Sequence, residues 1–285
     1  MPPADLLAPP AHPAPQPASA ASSDPAARTP RAPRSGWQDP ALLAIPAAAL
    51  LLALWDTTPL DLLLAQRFST GGGFPLRESW WLSKLLHDDV RRLAWAAATA
   101  LVVGVWLPWG PLRRIDLPRR AALAVGLLLS LALVSAGKAL SHTSCPWDLA
   151  QFGGAARYVS HWHWGLRDGG SGHCFPGGHA SAGFALLSLY FAWRDDAPRL
   201  ARICLVAALL GGLALGAVQQ LRGAHFLSHN LWTAWLCWTT CWAVDAVRRR
   251  WFGPARPPAD ANANANADTG APGVFTAAVS SPGRS

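Results

Sequence analysis

Residues 121–140 read AALAVGLLLSLALVSAGKAL, an almost unbroken run of apolar side chains. A helix of about 20 such residues is long enough to span the hydrocarbon core of a bilayer. Five further runs have the same character, and we predict additional spans at 38–55, 93–109, 179–193, 203–220 and 229–247. The expected fold class is therefore an all-α integral membrane bundle of about six helices, and the alternative is a soluble helical bundle.

The composition agrees with a membrane domain between two polar tails. Charged residues make up only 14% of the chain, whereas soluble domains usually carry about 25%. Residues 1–36 are rich in Pro and Ala, and residues 253–285 include an alternating Ala-Asn run. Neither tail has enough large apolar side chains to offset the entropy cost of ordering it. We predict disordered cytoplasmic tails at 1–36 and 253–285 around a six-helix domain at 37–252.

The arginines predict the orientation of the chain in the membrane. The net charge of +8 could indicate nucleic-acid binding, but the arginines lie in short segments beside apolar runs, so no nucleic-acid partner is expected. Cytoplasmic loops of membrane proteins are enriched in Arg and Lys. Four segments carry this excess: Arg28, Arg31 and Arg34; Arg113, Arg114, Arg119 and Arg120; Arg194, Arg199 and Arg202; and Arg248, Arg249 and Arg250. With six spans all four are cytoplasmic, as are both termini.

The histidines are concentrated on the opposite side. Loops at about 56–92, 141–178 and 221–228 are predicted to face outward. Seven of the nine histidines lie in or beside the last two of these loops: His142, His161, His163, His173, His179, His225 and His229. Ionisable groups at membrane depth are costly and usually mark function. Lys138, one of two lysines, lies at the same outer level, where the alternative is a side chain that only snorkels to the interface.

Three motifs follow one another along this side of the protein. They are Lys138-Ala-Leu-Ser-His-Thr-Ser-Cys145-Pro146, then Cys174-Phe-Pro176-Gly177-Gly178-His179, then Gly223-Ala-His225-Phe-Leu-Ser228-His229. Over about residues 121–245 the arrangement resembles the type 2 phosphatidic acid phosphatase (PAP2) superfamily, which also includes vanadium haloperoxidases. The signatures of that family are Lys-x6-Arg-Pro, Pro-Ser-Gly-His and Ser-Arg-x5-His-x3-Asp.

Several family positions are substituted. Cys145 stands where the family has Arg, and Gly177 stands where it has Ser. Gln219 replaces the Arg of the third signature, and His229 replaces its Asp. Because Lys138, His179 and His225 remain, we interpret the chain as a divergent active branch rather than as a decayed enzyme.

The resemblance implies roles for the catalytic residues. His225 would attack phosphorus to form a phosphohistidine, and His179 would protonate the departing oxygen and then help to activate water. The nucleophilic imidazole needs an acceptor for its other nitrogen. His229, one helical turn further on, is the expected acceptor, and Asp148 is a rival.

Phosphate binding is expected to rest on cations and on glycines. Lys138 is a point charge suited to phosphate, and Gly177 and Gly178 would let the backbone approach the anion closely. Arg222, three residues before His225, is the expected substitute for the missing family arginine. These groups need no cofactor, and we expect no metal. A metal site built from Cys145, Cys174 and the nearby histidines His161, His163 and His173 is the alternative, but the spacing fits no zinc pattern.

Cys145 and Cys174 lie in one predicted outer loop. An oxidising periplasm permits a disulfide, and we predict that these two residues form one. The bridge would tie the Lys138 segment to the Pro-Gly-Gly-His turn. The alternative is two unrelated thiols.

The sequence thus predicts a membrane lipid phosphatase that hydrolyses a phosphate monoester or diphosphate. Phosphatidic acid, phosphatidylglycerol phosphate, undecaprenyl diphosphate and lipid A represent the phospholipid and isoprenoid-lipid phosphates to consider as substrates. The alternatives are a lipid phosphotransferase with the same intermediate, and a non-catalytic lipid-phosphate binding or transport protein. The Ala- and Arg-rich composition suggests a GC-rich bacterium, hence the inner membrane with a periplasmic active site.

Overall fold

The computed structural model describes residues 41–253, apart from the side chains of residues 85–88 and 91. This part of the chain is all-α, as predicted. Its eight α-helices are α1 (Ala41–Asp56), α2 (Leu60–Phe68), α3 (Val90–Val103), α4 (Leu117–Leu140), α5 (Gly178–Phe184), α6 (Leu187–Trp193), α7 (Pro198–Leu221) and α8 (Leu227–Phe252). Except for Gly253, the two predicted tails lie outside the described residues, and the domain limits stay predictions.

Two of the described helices are long and apolar enough to cross a membrane. They are α4 and α7, with 24 residues each. A third span exists if α1 and α2, which meet at a bend of 68°, count as one. Membrane-capable helices are therefore present, while the number six stays a prediction.

The helices at the remaining predicted spans are too short or too polar to be identified as membrane-spanning on length and composition alone. The apolar part of α3 is Arg92–Val103, and the predicted span at 179–193 is divided into α5 and α6, of seven residues each. Helix α8 has 26 residues, but polar groups such as Ser228, Asn230 and Asp245 are buried along it. A helix that lines a polar site gives up part of its apolar face, and this lowers its mean hydropathy.

The bundle is formed mainly by α4, α7 and α8, with the α5–α6 pair packed among them. Its core cluster includes Val134 from α4, Phe184 from α5 and Cys237 from α8. Gly183 of α5 and Gly212 of α7 meet backbone to backbone, where a Cβ on Gly183 would overlap the Gly212 backbone. The absence of a side chain therefore sets the close approach of these two helices.

Ion pairs link three of the arginine-rich segments at one end of the bundle. Arg119 pairs with Asp196. Asp245 pairs with Arg194, Arg248 and Arg249, and Arg249 also pairs with Asp195. Lys138 lies at the far end of the 24-residue helix α4 from Arg119, about 30 Å away at the rise of an α-helix. These three basic segments thus lie at the opposite end of the bundle from Lys138 and the loop that follows it.

We predict that the arginine-rich end faces the cytoplasm. Reporter fusions after residues about 115, 197 and 250 should then all report a cytoplasmic location, because short Arg-rich loops are retained there. A fusion after residue about 165, in the histidine-rich loop, is the matched control and should report the opposite side. A non-cytoplasmic signal at any of the first three positions would contradict this orientation.

Candidate active site

The loop that follows α4 folds back onto the end of that helix. Nζ of Lys138 donates a hydrogen bond to the carbonyl of His173 at 2.7 Å, and Nδ1 of His173 lies 2.9 Å from the carbonyl of Lys138. The backbone N–H of Cys174 donates to the carbonyl of Thr143 at 2.9 Å. These contacts bring the first motif against the start of the second.

A disulfide between Cys145 and Cys174 closes the same loop, with Cα atoms 5.1 Å apart. This separation lies within the range that a disulfide requires. Two bonded sulfurs are not thiolates, and thiolates are the form in which cysteine ligates metals. The bridge therefore removes both cysteines from the metal site that was the alternative reading of these residues.

The start of α5 is attached to the first turn of α8. The N–H of Gly177 donates to the carbonyl of His229 at 3.1 Å, and Oγ1 of Thr233 lies 2.8 Å from that same carbonyl and 3.2 Å from the carbonyl of Gly177. A Cβ on Gly177 would overlap Oδ1 of Asn230, and one on Gly178 would lie 3.0 Å from Cδ of Lys138. The two glycines thus let the second motif contact both of the others.

His225 lies in the tight connection between α7 and α8. Gly223 follows the end of α7 with a φ of +74°, and the N–H of Ala224 donates to the carbonyl of Gln219 at 2.8 Å. A Cβ on Gly223 would overlap the ring of Phe74, so glycine is needed here for space as well as for its φ. His225 is held within this turn at 5% exposure.

The surroundings of His225 keep its imidazole neutral. Burial lowers the pKa of His225 from 6.5 to about 3, and the positive charges of Lys138 and His179 act in the same direction. The three motifs meet here, because Gly178, next to His179, lies against the side chain of Lys138, and Cys174 lies against the ring of His225. Nδ1 of His225 lies 3.4 Å from Sγ of Cys174, so this nitrogen faces the disulfide.

The low pKa predicts an acid-dependent loss of stability. The pKa of His225 is lower in the folded protein than in the unfolded chain, so the unfolded chain takes up a proton first as the pH falls. The stability of the folded protein therefore decreases as the pH falls from about 6.5 towards about 3. By pH 5 the wild type should lose about 2 kcal/mol relative to His225→Gln. Thermal unfolding of the two proteins at pH 7 and pH 5 measures the difference. Identical pH dependence would contradict a buried neutral His225.

His229 is buried beside His225 but does not bond to it. The two ring centroids are 5.9 Å apart, and His229 is 1% exposed. Among the described residues, Nδ1 of His229 has no hydrogen-bond partner. No hydrogen bond between the two described rings supports the predicted role of His229 as the direct acceptor from His225, and this role stays a prediction.

Two other predicted site residues have partners elsewhere. Nε of Arg222 donates to the carbonyl of Arg77 at 3.0 Å, and its Nη1 donates to Oε1 of Gln219 at 3.4 Å. Oδ2 of Asp148 accepts a hydrogen bond from Oγ of Ser171 at 3.0 Å. Phosphate binding by Arg222 and a supporting role for Asp148 stay predictions.

Two buried carboxylates near the site were not singled out by the sequence analysis. Asp56, the last residue of α1, pairs with His161, and Asp61 of α2 accepts from the N–H and the hydroxyl of Ser228. Both lie in the predicted outer loop 56–92, in which α2 was not foreseen. The available signal was an acidic residue at the end of an apolar run, because such groups at membrane depth usually mark function.

Comparison with known families agrees with this geometry: a helical bundle with membrane-capable helices and a lysine–histidine site at one end. The model of the PAP2 superfamily matches residues 120–252, and the chain therefore carries a PAP2 superfamily domain. Membership suggests a phosphatase-type activity on phosphate esters. No curated protein and no solved structure matched the chain.

Proposed function

We propose that the protein is a membrane lipid phosphatase that forms a phosphohistidine on His225. The observation that carries this proposal is the meeting of the three motifs around a buried histidine: Gly178, next to His179, lies against the side chain of Lys138, and Sγ of Cys174 lies 3.4 Å from Nδ1 of the buried His225. A neutral imidazole has the lone pair that a nucleophile needs, and fixed cations stabilise the charge of a transferring phosphoryl group.

The reaction proceeds in two steps. Nε2 of His225 forms a bond to phosphorus while the bond from phosphorus to the lipid oxygen breaks, and His179 gives a proton to that oxygen. Water then attacks the phosphohistidine with His179 as the base, which releases inorganic phosphate and restores His225. Lys138 neutralises the phosphoryl oxygens throughout, because phosphoryl transfer depends mainly on positioning and charge stabilisation.

A lipid substrate is favoured by what surrounds the site. A pocket beside it is lined by Leu140, His142, His161, His163, Trp164 and Phe175. Trp164 is 72% exposed and Leu140 is 66% exposed, which suits an opening towards acyl or isoprenoid chains. With the arginine-rich end in the cytoplasm, the site faces the periplasm of a bacterial inner membrane. Phospholipid and isoprenoid-lipid phosphates are the substrates to test.

Phosphate release from a panel of lipid phosphates by the purified protein tests the proposal. Phosphatidic acid, phosphatidylglycerol phosphate, undecaprenyl diphosphate and lipid A form the panel, and water-soluble glycerol phosphate is the control. We expect release from at least one lipid and little from the control. Transfer of the label to a second lipid would indicate the phosphotransferase instead. Binding without release or transfer would indicate the non-catalytic protein.

Hydrolysis should survive removal of metal ions. The proposed charge stabilisers are side chains and backbone N–H groups, and the disulfide withholds two of the nearby sulfur ligands. Activity after treatment with EDTA should therefore stay within about twofold of the untreated level, a change of less than about 0.5 kcal/mol in the barrier. Loss of activity that zinc or magnesium restores would support a histidine metal site.

A further inference from the structure

Asp56 is a buried carboxylate that the proposed reaction does not use. Its side chain is 3% exposed, and its Oδ2 lies 3.2 Å from Nε2 of His161. The indole N–H groups of Trp162 and Trp232 each donate to the same oxygen at 2.8 Å. A buried carboxylate is costly unless it is paired and hydrogen-bonded, so this arrangement strongly favours an ionised Asp56.

A row of rings leads from Asp56 to the nucleophile. His161 stacks on Phe175 with centroids 4.0 Å apart, and it meets His229 edge to face at 5.5 Å. His229 in turn meets His225 at 5.9 Å. Asp56 ends α1 and His161 lies in the loop before α5. His229 is in the first turn of α8, and His225 is in the connection before that helix. Residues so far apart in sequence form one row only in the folded protein.

We infer that Asp56 and His161 are positioning residues for His225, acting through His229. In this chain Asp56 would supply the carboxylate that the PAP2 pattern places at position 229. The inference rests on the proposed function, since it assigns these groups to the same reaction.

The physical reason is the charge that develops on the nucleophile. As His225 forms its bond to phosphorus, its ring becomes positive, and a fixed negative charge nearby stabilises that state. His161 lies between the two groups, with its Nε2 3.2 Å from Oδ2 of Asp56 and its ring against that of His229. The unpartnered Nδ1 of the buried His229 lies on the ring that contacts both His161 and His225. A carboxylate can thus act on His225 without touching it.

A purely structural role for Asp56 makes a different prediction. The two indole bonds could serve only to attach α1 to α8 and to the loop before α5. Asp56→Asn removes the charge and keeps an oxygen that both indoles can use. We expect Asp56→Asn to lower kcat by about 10–100-fold, the usual effect of losing a supporting partner, with KM changed by less than about threefold. His161→Phe, which keeps the stacking on Phe175, should give a similar loss.

The decisive comparison moves the carboxylate to the family position. The kcat of His229→Asp alone is the reference for this comparison. In that background Asp56→Asn and His161→Phe should cost less than about threefold, because the direct carboxylate makes the longer route unnecessary. If the full loss from Asp56→Asn persists beside His229→Asp, Asp56 only anchors α1 and the inference is overturned.

Asp61→Asn is the matched control. Asp61 is also buried, at 6% exposure, and accepts from the indole N–H of Trp55 and from the N–H of Ser228, each at 3.1 Å. Its described hydrogen bonds involve no histidine. Any activity that Asp61→Asn loses should therefore not be regained with His229→Asp. Recovery of Asp61→Asn to the same extent would show that the rescue is not specific to the row.

A second measurement does not depend on activity. Nitrogen NMR of histidine-labelled protein, compared between wild type and Asp56→Asn, should show changed ring signals for His161, His229 and His225. Unchanged His225 signals would overturn the inference, even if His229→Asp fails to fold. If the wild type releases no phosphate from any lipid, the proposed function falls, and these spectra still decide whether Asp56 acts on His225.

Discussion

Replacing His225 with alanine should reduce phosphate release by at least about a thousandfold, a barrier increase of about 4 kcal/mol. The variant loses the only nitrogen that the mechanism uses as a nucleophile. His179→Ala should have a comparable effect, because the departing lipid oxygen then has no proton donor. Residues that act as one unit are not additive, so the double variant should be no slower than the slower single variant. Initial rates on the best lipid of the panel measure all three.

His225→Asn separates chemistry from packing in this test. Asparagine fills part of the buried position, so the variant should stay folded and remain as inactive as His225→Ala. Size-exclusion profiles and thermal unfolding at pH 7 verify the fold of each protein. Activity of His225→Ala within about tenfold of wild type, a change of about 1.4 kcal/mol, would exclude His225 as the nucleophile.

Removal of the Cys145–Cys174 bridge should have the second-largest effect. The bridge joins residues 29 positions apart, and closing such a loop stabilises the folded chain by about 3.5 kcal/mol in the chain-entropy model. We expect Cys145→Ser/Cys174→Ser to unfold about 10 °C earlier than wild type. Activity should fall by more than about tenfold, because Sγ of Cys174 lies beside Nδ1 of His225.

Reductant provides the control for this variant. Wild type treated with a phosphine reductant should shift towards the double variant, while the double variant itself should not respond. Cys204→Ser changes a thiol that lies outside the bridge and should respond to reductant as wild type does. Labelling of both Cys145 and Cys174 by a thiol reagent in unreduced, denatured protein would show that the bridge does not form.

The site residues that could be predicted from the sequence are those that lie in the three short motifs resembling the PAP2 signatures. The order of Lys138, His179 and His225 along the chain was sufficient to expect them together, because all three lie on the same predicted side of the membrane, at or beside the ends of predicted spans. The glycine after α7 and the helix that starts inside the Pro-Gly-Gly-His motif could also be predicted, since both follow from local backbone preferences. The all-α class followed from the apolar runs alone.

The rest depended on contacts between distant segments. Asp56 and Trp162 are 106 residues apart, and no spacing rule connects them. The span count was least predictable, because polar site residues make α8 less apolar and divide the 179–193 segment. Helix α2 was missed for a related reason: its nine residues include Asp61, Gln66 and Arg67, too few apolar groups to indicate a span. Position 229 is a further example: a histidine at this position of the sequence does not indicate that the carboxylate of Asp56 lies nearby in the folded protein.

The most direct test of the proposed reaction is to trap the phosphohistidine on His225. Protein mixed with a lipid carrying radiolabelled phosphate is quenched within milliseconds in alkaline denaturant, digested and analysed by mass spectrometry. We expect an acid-labile, base-stable label on the peptide that contains His225, and no label in His225→Ala. A label on another residue, or rapid phosphate release with no labelled enzyme at any quench time, would contradict it.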